Sequence, residues 1–180
     1  MSTLPANINP LSPNGFQLSI QKFPEISYFA QQVSLPSINL PNIPSNTPFS
    51  TIQMAGDLLT YEPLSIDFIV DENMSNYLAI SDWIIAMGFP ETYDQYISWQ
   101  NKDSINISEL AKNYSDATLQ ILDSSNNPIQ TVTFVDIIPT SLGNMTFLST
   151  SSDVNYITCN VTFEYSYFKF VWFGVFNYYK

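Results

Sequence analysis

The sequence predicts a mainly β, α+β fold, an antiparallel β-sandwich or barrel with one α-helix on its flank. Three observations predict it. Strict alternation of apolar and polar residues recurs at Phe16 to Gln21, Leu64 to Asp71, Ala117 to Val135 and Ile157 to Tyr167, the period of half-buried strands. The clearest helical spacing lies between the second and third of these runs, at Met74 to Met87. Charged residues make up only 12% of the chain while 45% is hydrophobic, with 11 Tyr and 13 Phe. The surface must then be built from uncharged polar side chains, a composition that suits strands and contacts between subunits. A length of 180 residues fits one domain.

Taken in order, residues 1–14 hold three prolines and no periodicity, which predicts an extended N-terminal arm. The folded domain spans 15–170. Gly15 opens the first strand, Phe16 to Gln21. Tyr28 to Leu35 predicts a second, with Phe29, Val33 and Leu35 turned inward, and the two are expected to pair antiparallel. Pro36 to Tyr61 contains Pro36, Pro41, Pro44 and Pro48, which remove ladder donors and predict a long loop that becomes ordered against a partner. In the third strand Leu64, Ile66, Phe68 and Val70 share one face, and Asp67 and Asp71 the other.

The helix is expected over about 74–88, stopped by Gly88 and Pro90, with Asp71, Glu72 and Ser75 around its start to meet the free amides and the helix dipole. Tyr93, Tyr96 and Trp99 leave room for a second short helix. Ala117 to Leu122 and Ile129 to Val135 flank the turn-forming run Asp123 to Pro128, which predicts a hairpin. The run from Ile157 to Tyr167 gives the longest strand signal, and it should be central to the sheet. Residues 171–180 form an aromatic C-terminal segment. From Phe168 onward both faces of a strand would be apolar, so half of it must be covered by the core or by a neighbouring subunit, with Trp172, Phe173 and Phe176 as candidate contacts.

The chemistry excludes more than it offers. Net charge is −11, from 5 Lys+Arg against 16 Asp+Glu, which argues against a phosphate-binding surface. An acidic wall can instead let DNA slide past without sticking. Histidine is absent, which removes the commonest general base and zinc ligand. Cys159 lies on the apolar side of its strand and reads as core, not as a nucleophile. Asp71 with Glu72 reads as helix capping, not as a catalytic carboxylate pair. Five glycines form no phosphate-cradling pattern. The expectation is a non-enzyme with no metal or cofactor. A single cysteine, no signal-like N-terminus and no long apolar run predict a chain made in a reducing cytoplasm and not inserted in a membrane.

The run Glu62-Pro63-Leu64-Ser65-Ile66-Asp67-Phe68-Ile69-Val70-Asp71-Glu72, with Trp83 after it, resembles the tail completion proteins of contractile-tailed phages. The likeness continues through Gln120 to Ser124 and through Cys159 to Phe168, in the same order across most of 15–170. The short run Met54-Ala55-Gly56-Asp57 is similar to a motif of the tube proteins themselves. The sequence departs from the pattern after Phe170 and in the details of 90–115.

The resemblance implies a β-fold of the tail-tube type and a tube terminator: a homohexameric ring on the finished tube, at the neck-proximal end of the virion tail. Its partners would be the tail tube protein, the last ring of tail sheath protein and the neck or head-completion proteins, with DNA passing through the lumen without specific binding. The tube subunit itself is the runner-up, and a ligand-binding β-barrel is the rival from another class. The Asp67/Asp71 face is the candidate lumen lining, although it would serve equally as a solvent face. Pro41, Pro44, Met54 and Asp57 in the proline-rich stretch, together with the termini, are the candidates for gripping tube, sheath and neck.

Overall fold

The computed structural model describes residues 10–88, 91–102, 113–149 and 156–172. Its elements run β1 (Phe16–Ile20), α1 (Pro24–Phe29), β2 (Ala30–Ser34), β3 (Ile38–Asn39), β4 (Asn42–Asn46), β5 (Thr51–Ala55), β6 (Thr60–Tyr61), β7 (Leu64–Ile69), α2 (Ser75–Gly88), α3 (Asp94–Lys102), β8 (Ser115–Leu122), β9 (Pro128–Leu142), β10 (Thr158–Glu164) and β11 (Tyr167–Trp172). Seven strands form one antiparallel sheet in the order β1-β8-β9-β10-β7-β2, with β11 also paired to β9. The mainly β, antiparallel fold matches the expectation, but the strand order has two ends and does not close into a barrel.

The sheet is creased through β9. Its first part pairs with β8 on one side and β11 on the other, and its last part pairs with β10. Across the crease β10 and β11 behave as one strand: Glu164 lies opposite Ile138 and Tyr167 opposite Val135, so two residues lie between these pairs on each side and none is inserted. Both strands change phase there. Inward residues are Val132 and Phe134 before the crease and Ile137 after it; on the partner they are Val161 and Phe163 before it and Phe168 after it. The expected single alternation to Tyr167 is therefore corrected: Tyr167 is exposed, and its place in the core goes to Phe168. Against β8 the count differs, since Ser115 pairs with Ile137 but Ala117 with Phe134, which leaves one extra residue on β9. Asp136, at φ 57°, supplies the bulge.

The core lies in the fold of the crease. Leu18 and Ile20 from β1, Leu64, Ile66 and Phe68 from β7, Ala117 and Leu119 from β8, and Cys159, Val161 and Phe163 from β10 meet Ile80 and Trp83 from α2. Trp83 is fully buried, 6.2 Å between ring centres from Phe163 and 5.4 Å from Phe23, and its indole N–H donates to the Asn113 carbonyl at 3.1 Å. Helix α3 packs beside α2, which realises the second short helix and gives the fold more than one.

Two expectations near the start fail. Pro24 to Phe29 is a short helix, entered at a proline whose fixed φ suits a first turn, so Tyr28 and Phe29 are not strand residues. The first two strands also do not pair with each other: β1 pairs with β8 and β2 with β7. Alternation defines the face of a strand and says nothing about which strand lies beside it.

Candidate assembly surfaces

The stretch from Pro36 to Tyr61 is not an irregular loop. It is a two-tier β-ribbon that extends the β2/β7 pair: β3 pairs with β6 at its root and β4 with β5 beyond. Pro44 sits within β4 opposite Gln53, which is tolerable because a two-stranded ribbon has no third strand to need the missing donor. Between the tiers the ladder is out of step, with Leu40 and Pro41 facing Gly56, Asp57, Leu58 and Leu59. This kink falls on the Met54 to Asp57 motif. The Gly56 N–H donates to the Pro41 carbonyl at 2.8 Å, an approach so close that a Cβ on Gly56 would collide with that carbonyl.

Almost nothing in the ribbon is buried. Ile43, Ile52, Met54 and Leu58 are more than half exposed and Phe49, at its turn, is 98% exposed. An isolated pair of strands is marginal in water, and clustered exposed apolar side chains mark an interaction surface. Pro41, Met54 and Asp57 come together at or beside the kink, while Pro44 lies further out.

The outward face of β7 and β10 is polar. Asp67 stands opposite Asn160, whose side-chain amide donates to the Asp67 carboxylate at 2.5 Å and to the Ser65 hydroxyl at 2.8 Å. Thr158, Thr162 and Glu164 continue this side of β10. Asp71 does not share it. Strand β7 ends at Ile69, and the Asp71 carboxylate accepts the Ser75 hydroxyl at 2.5 Å and the Asn76 N–H at 3.3 Å. The Ser75 hydrogen bond, opposed by desolvation and aided by the Asn76 N–H, holds this carboxyl below its usual range. Its side chain belongs to the start of α2, as the capping reading expected.

Cys159 is buried, as its strand face predicted, and burial pushes its thiol up. Among the described residues no cluster of His, Cys, Asp and Glu could hold a metal ion, and no helix is long and apolar enough to cross a membrane. At the far end Phe168 enters the core while Phe170 and Val171 stay 50% and 39% exposed. The backbone of Trp172 pairs with Gln130; Phe173 and Phe176, like residues 1–9 of the N-terminal arm, lie outside the described residues. The outer edges of β1, β2 and β11 have no strand beside them among the described residues.

A creased antiparallel sheet with a flanking helix, open strand edges and a long exposed ribbon defines an assembly module. The chain belongs to the phage tail tube protein family, whose model matches residues 3–171. It is 27% identical over 168 residues to the tail tube terminator protein of Enterobacteria phage T4, covering 89% of each chain. Its fold is similar to that in the anti-feeding prophage cap, a tube terminating cap, with a TM-score of 0.59, 14% identity and coverage of 94% and 96% of the two chains. It is also similar to a chain of the sheath/tube terminator of an extracellular contractile injection system, with a TM-score of 0.55, 17% identity and coverage of 92% and 99%.

Proposed function

We propose that this chain is the terminator of a phage tail tube, a structural ring that caps the finished tube. The observation that carries the reading is its likeness to a tail tube terminator along 89% of both chains, combined with a fold common to tube-forming proteins. The ring is a homohexamer at the neck-proximal end of the tail, assembled in the host cytoplasm, and it joins tube, last sheath ring and neck. Open edges on β1, β2 and β11 give each copy places to continue its neighbour's sheet. The ribbon, with Pro41, Pro44, Met54 and Asp57, is the element that meets the tube. The aromatic end that includes Trp172, Phe173 and Phe176 serves subunit contact.

Asp67 faces the lumen in this reading, where a negative, hydrogen-bonded wall repels phosphates and lets DNA pass. Neutralising it with Asp67→Asn should leave the ring intact and increase DNA retention at low salt.

The second reading is the tube subunit, favoured by the family model that matches residues 3–171. Native mass spectrometry of the purified chain, followed by mixing with polymerised tubes, separates the two. A hexamer that binds only tube ends supports the terminator. Copolymerisation into long tubes supports the subunit, and a monomer that ignores tubes removes both.

A further inference from the structure

At its root, where the ribbon runs on from β2 and β7, Tyr165 of the body bonds to it. The Tyr165 hydroxyl donates to the Glu62 carbonyl at 2.7 Å, across 103 residues of sequence. The N–H of the same residue, Glu62, donates to the Ser37 carbonyl on the opposite side of the ribbon root at 3.1 Å. Tyr61, the last residue of β6, lies 6.0 Å between ring centres from Tyr165 and 5.4 Å from Phe168. Tyr165 and Phe168 in turn pack on Phe134, at 5.2 and 5.6 Å. The root of the ribbon is therefore stacked on the core at the crease, while β4 and β5 beyond it are largely exposed. A lever whose only firm attachment lies at its root takes its direction from that attachment.

We propose that Tyr165 is a positioning residue that holds the ribbon of residues 36–62 at a fixed angle to the domain, in the pose in which it docks on the tube end. The proposal rests on the terminator reading and on the ribbon as the gripping element. Preorganisation of this kind removes an ordering cost at the moment of binding. The body does not need the bond, since the Tyr165 ring keeps its packing without the hydroxyl.

The test uses the full chain and tubes assembled from the cognate tube subunit. Tyr165→Phe keeps the ring and removes the hydroxyl. The expected result is about fivefold faster amide exchange over residues 38–62, the scale of one hydrogen bond, with exchange in β8 and β9 unchanged and tube-end affinity reduced by a similar factor. Unchanged ribbon exchange overturns the proposal, whatever happens to binding. So does faster ribbon exchange at full affinity. The double variant Ile43→Ser/Met54→Ser, which alters only exposed ribbon positions, separates the two levels. If it weakens end binding while Tyr165→Phe does not, the positioning role alone falls. If neither variant affects binding, the ribbon is not the grip and both ideas fall.

Discussion

The backbone N–H of Asp136 donates to the carboxylate of Asp116 at 3.1 Å, where β9 passes from one half of the sheet to the other. Asp136 is the extra residue of the bulge, in the left-handed region, and the Ser166 hydroxyl donates to its carboxylate at 3.3 Å. One carboxylate thus steadies the backbone at the crease and another ties it to the neighbouring strand. Asp116→Ala should cost about 0.5–1 kcal/mol, the net worth of a partly solvated hydrogen bond, measured by urea unfolding. Asp136→Val should cost more, because a β-branched residue resists positive φ, while Asp136→Gly should lie near the parent.

Trp83 joins the helix to the crease. It is fully buried and touches Phe23 and Phe163. Trp83→Ala should lose about 3–5 kcal/mol, the usual cost of removing a large buried aromatic, read as a lowered denaturation midpoint with little change in slope. Trp83→Phe should recover most of that and retain the loss of the bond to the Asn113 carbonyl.

Two groups give the stability a pH dependence of opposite sign. Asp71 has a lowered folded pKa through the Ser75 hydroxyl, so its contribution is present above the unfolded value of about 3.9 and is lost as pH falls below it. Ser75→Ala should move the Asp71 titration, followed by carboxyl NMR, back upward. Tyr165 is pushed up to about 12, chiefly by burial, with Glu164 adding to it. Its contribution is full below the unfolded value of about 10 and disappears as pH rises from there to about 12. Phenolate absorbance should show a late step that is absent in Tyr165→Phe.

Gly56 should matter to the ribbon and not to the body. In Gly56→Ala the new methyl meets the Pro41 carbonyl, so the kink must open. Limited proteolysis near Phe49 should become faster while the thermal midpoint changes little.

Much of the strand pattern was legible because burial and alternation coincide: Leu64, Ile66 and Phe68 are inside, as are Cys159, Val161 and Phe163. Phase changes were not legible, since the switch near Tyr165 depends on a crease shared with β9 and only long-range pairing reveals it. The ribbon was hidden for a different reason. Four prolines and no inward face look like irregular chain, yet a two-stranded element without a core side needs no alternation. Asp67 and Asp71 appear alike at a spacing of four, but the strand ends between them and α2 takes the second. The partnership of Tyr165 with Glu62 had no local signal at all.

The strand order also dictates when the protein can form. Strand β1 waits for β8 and β7 waits for β10, as in the Asp67 to Asn160 contact that spans 93 residues. In an N-terminal half emerging from the ribosome β7 can pair with β2, but β1 and the other edge of β7 still lack their partners, so completing the sheet waits for the late strands and is slowed by these distant pairings. A chain cut short before Thr158 lacks both β10 and β11, which leaves β7 and the end of β9 without that shared partner. Prematurely terminated translation then yields a chain whose two halves of the sheet have lost the strand that runs across the crease.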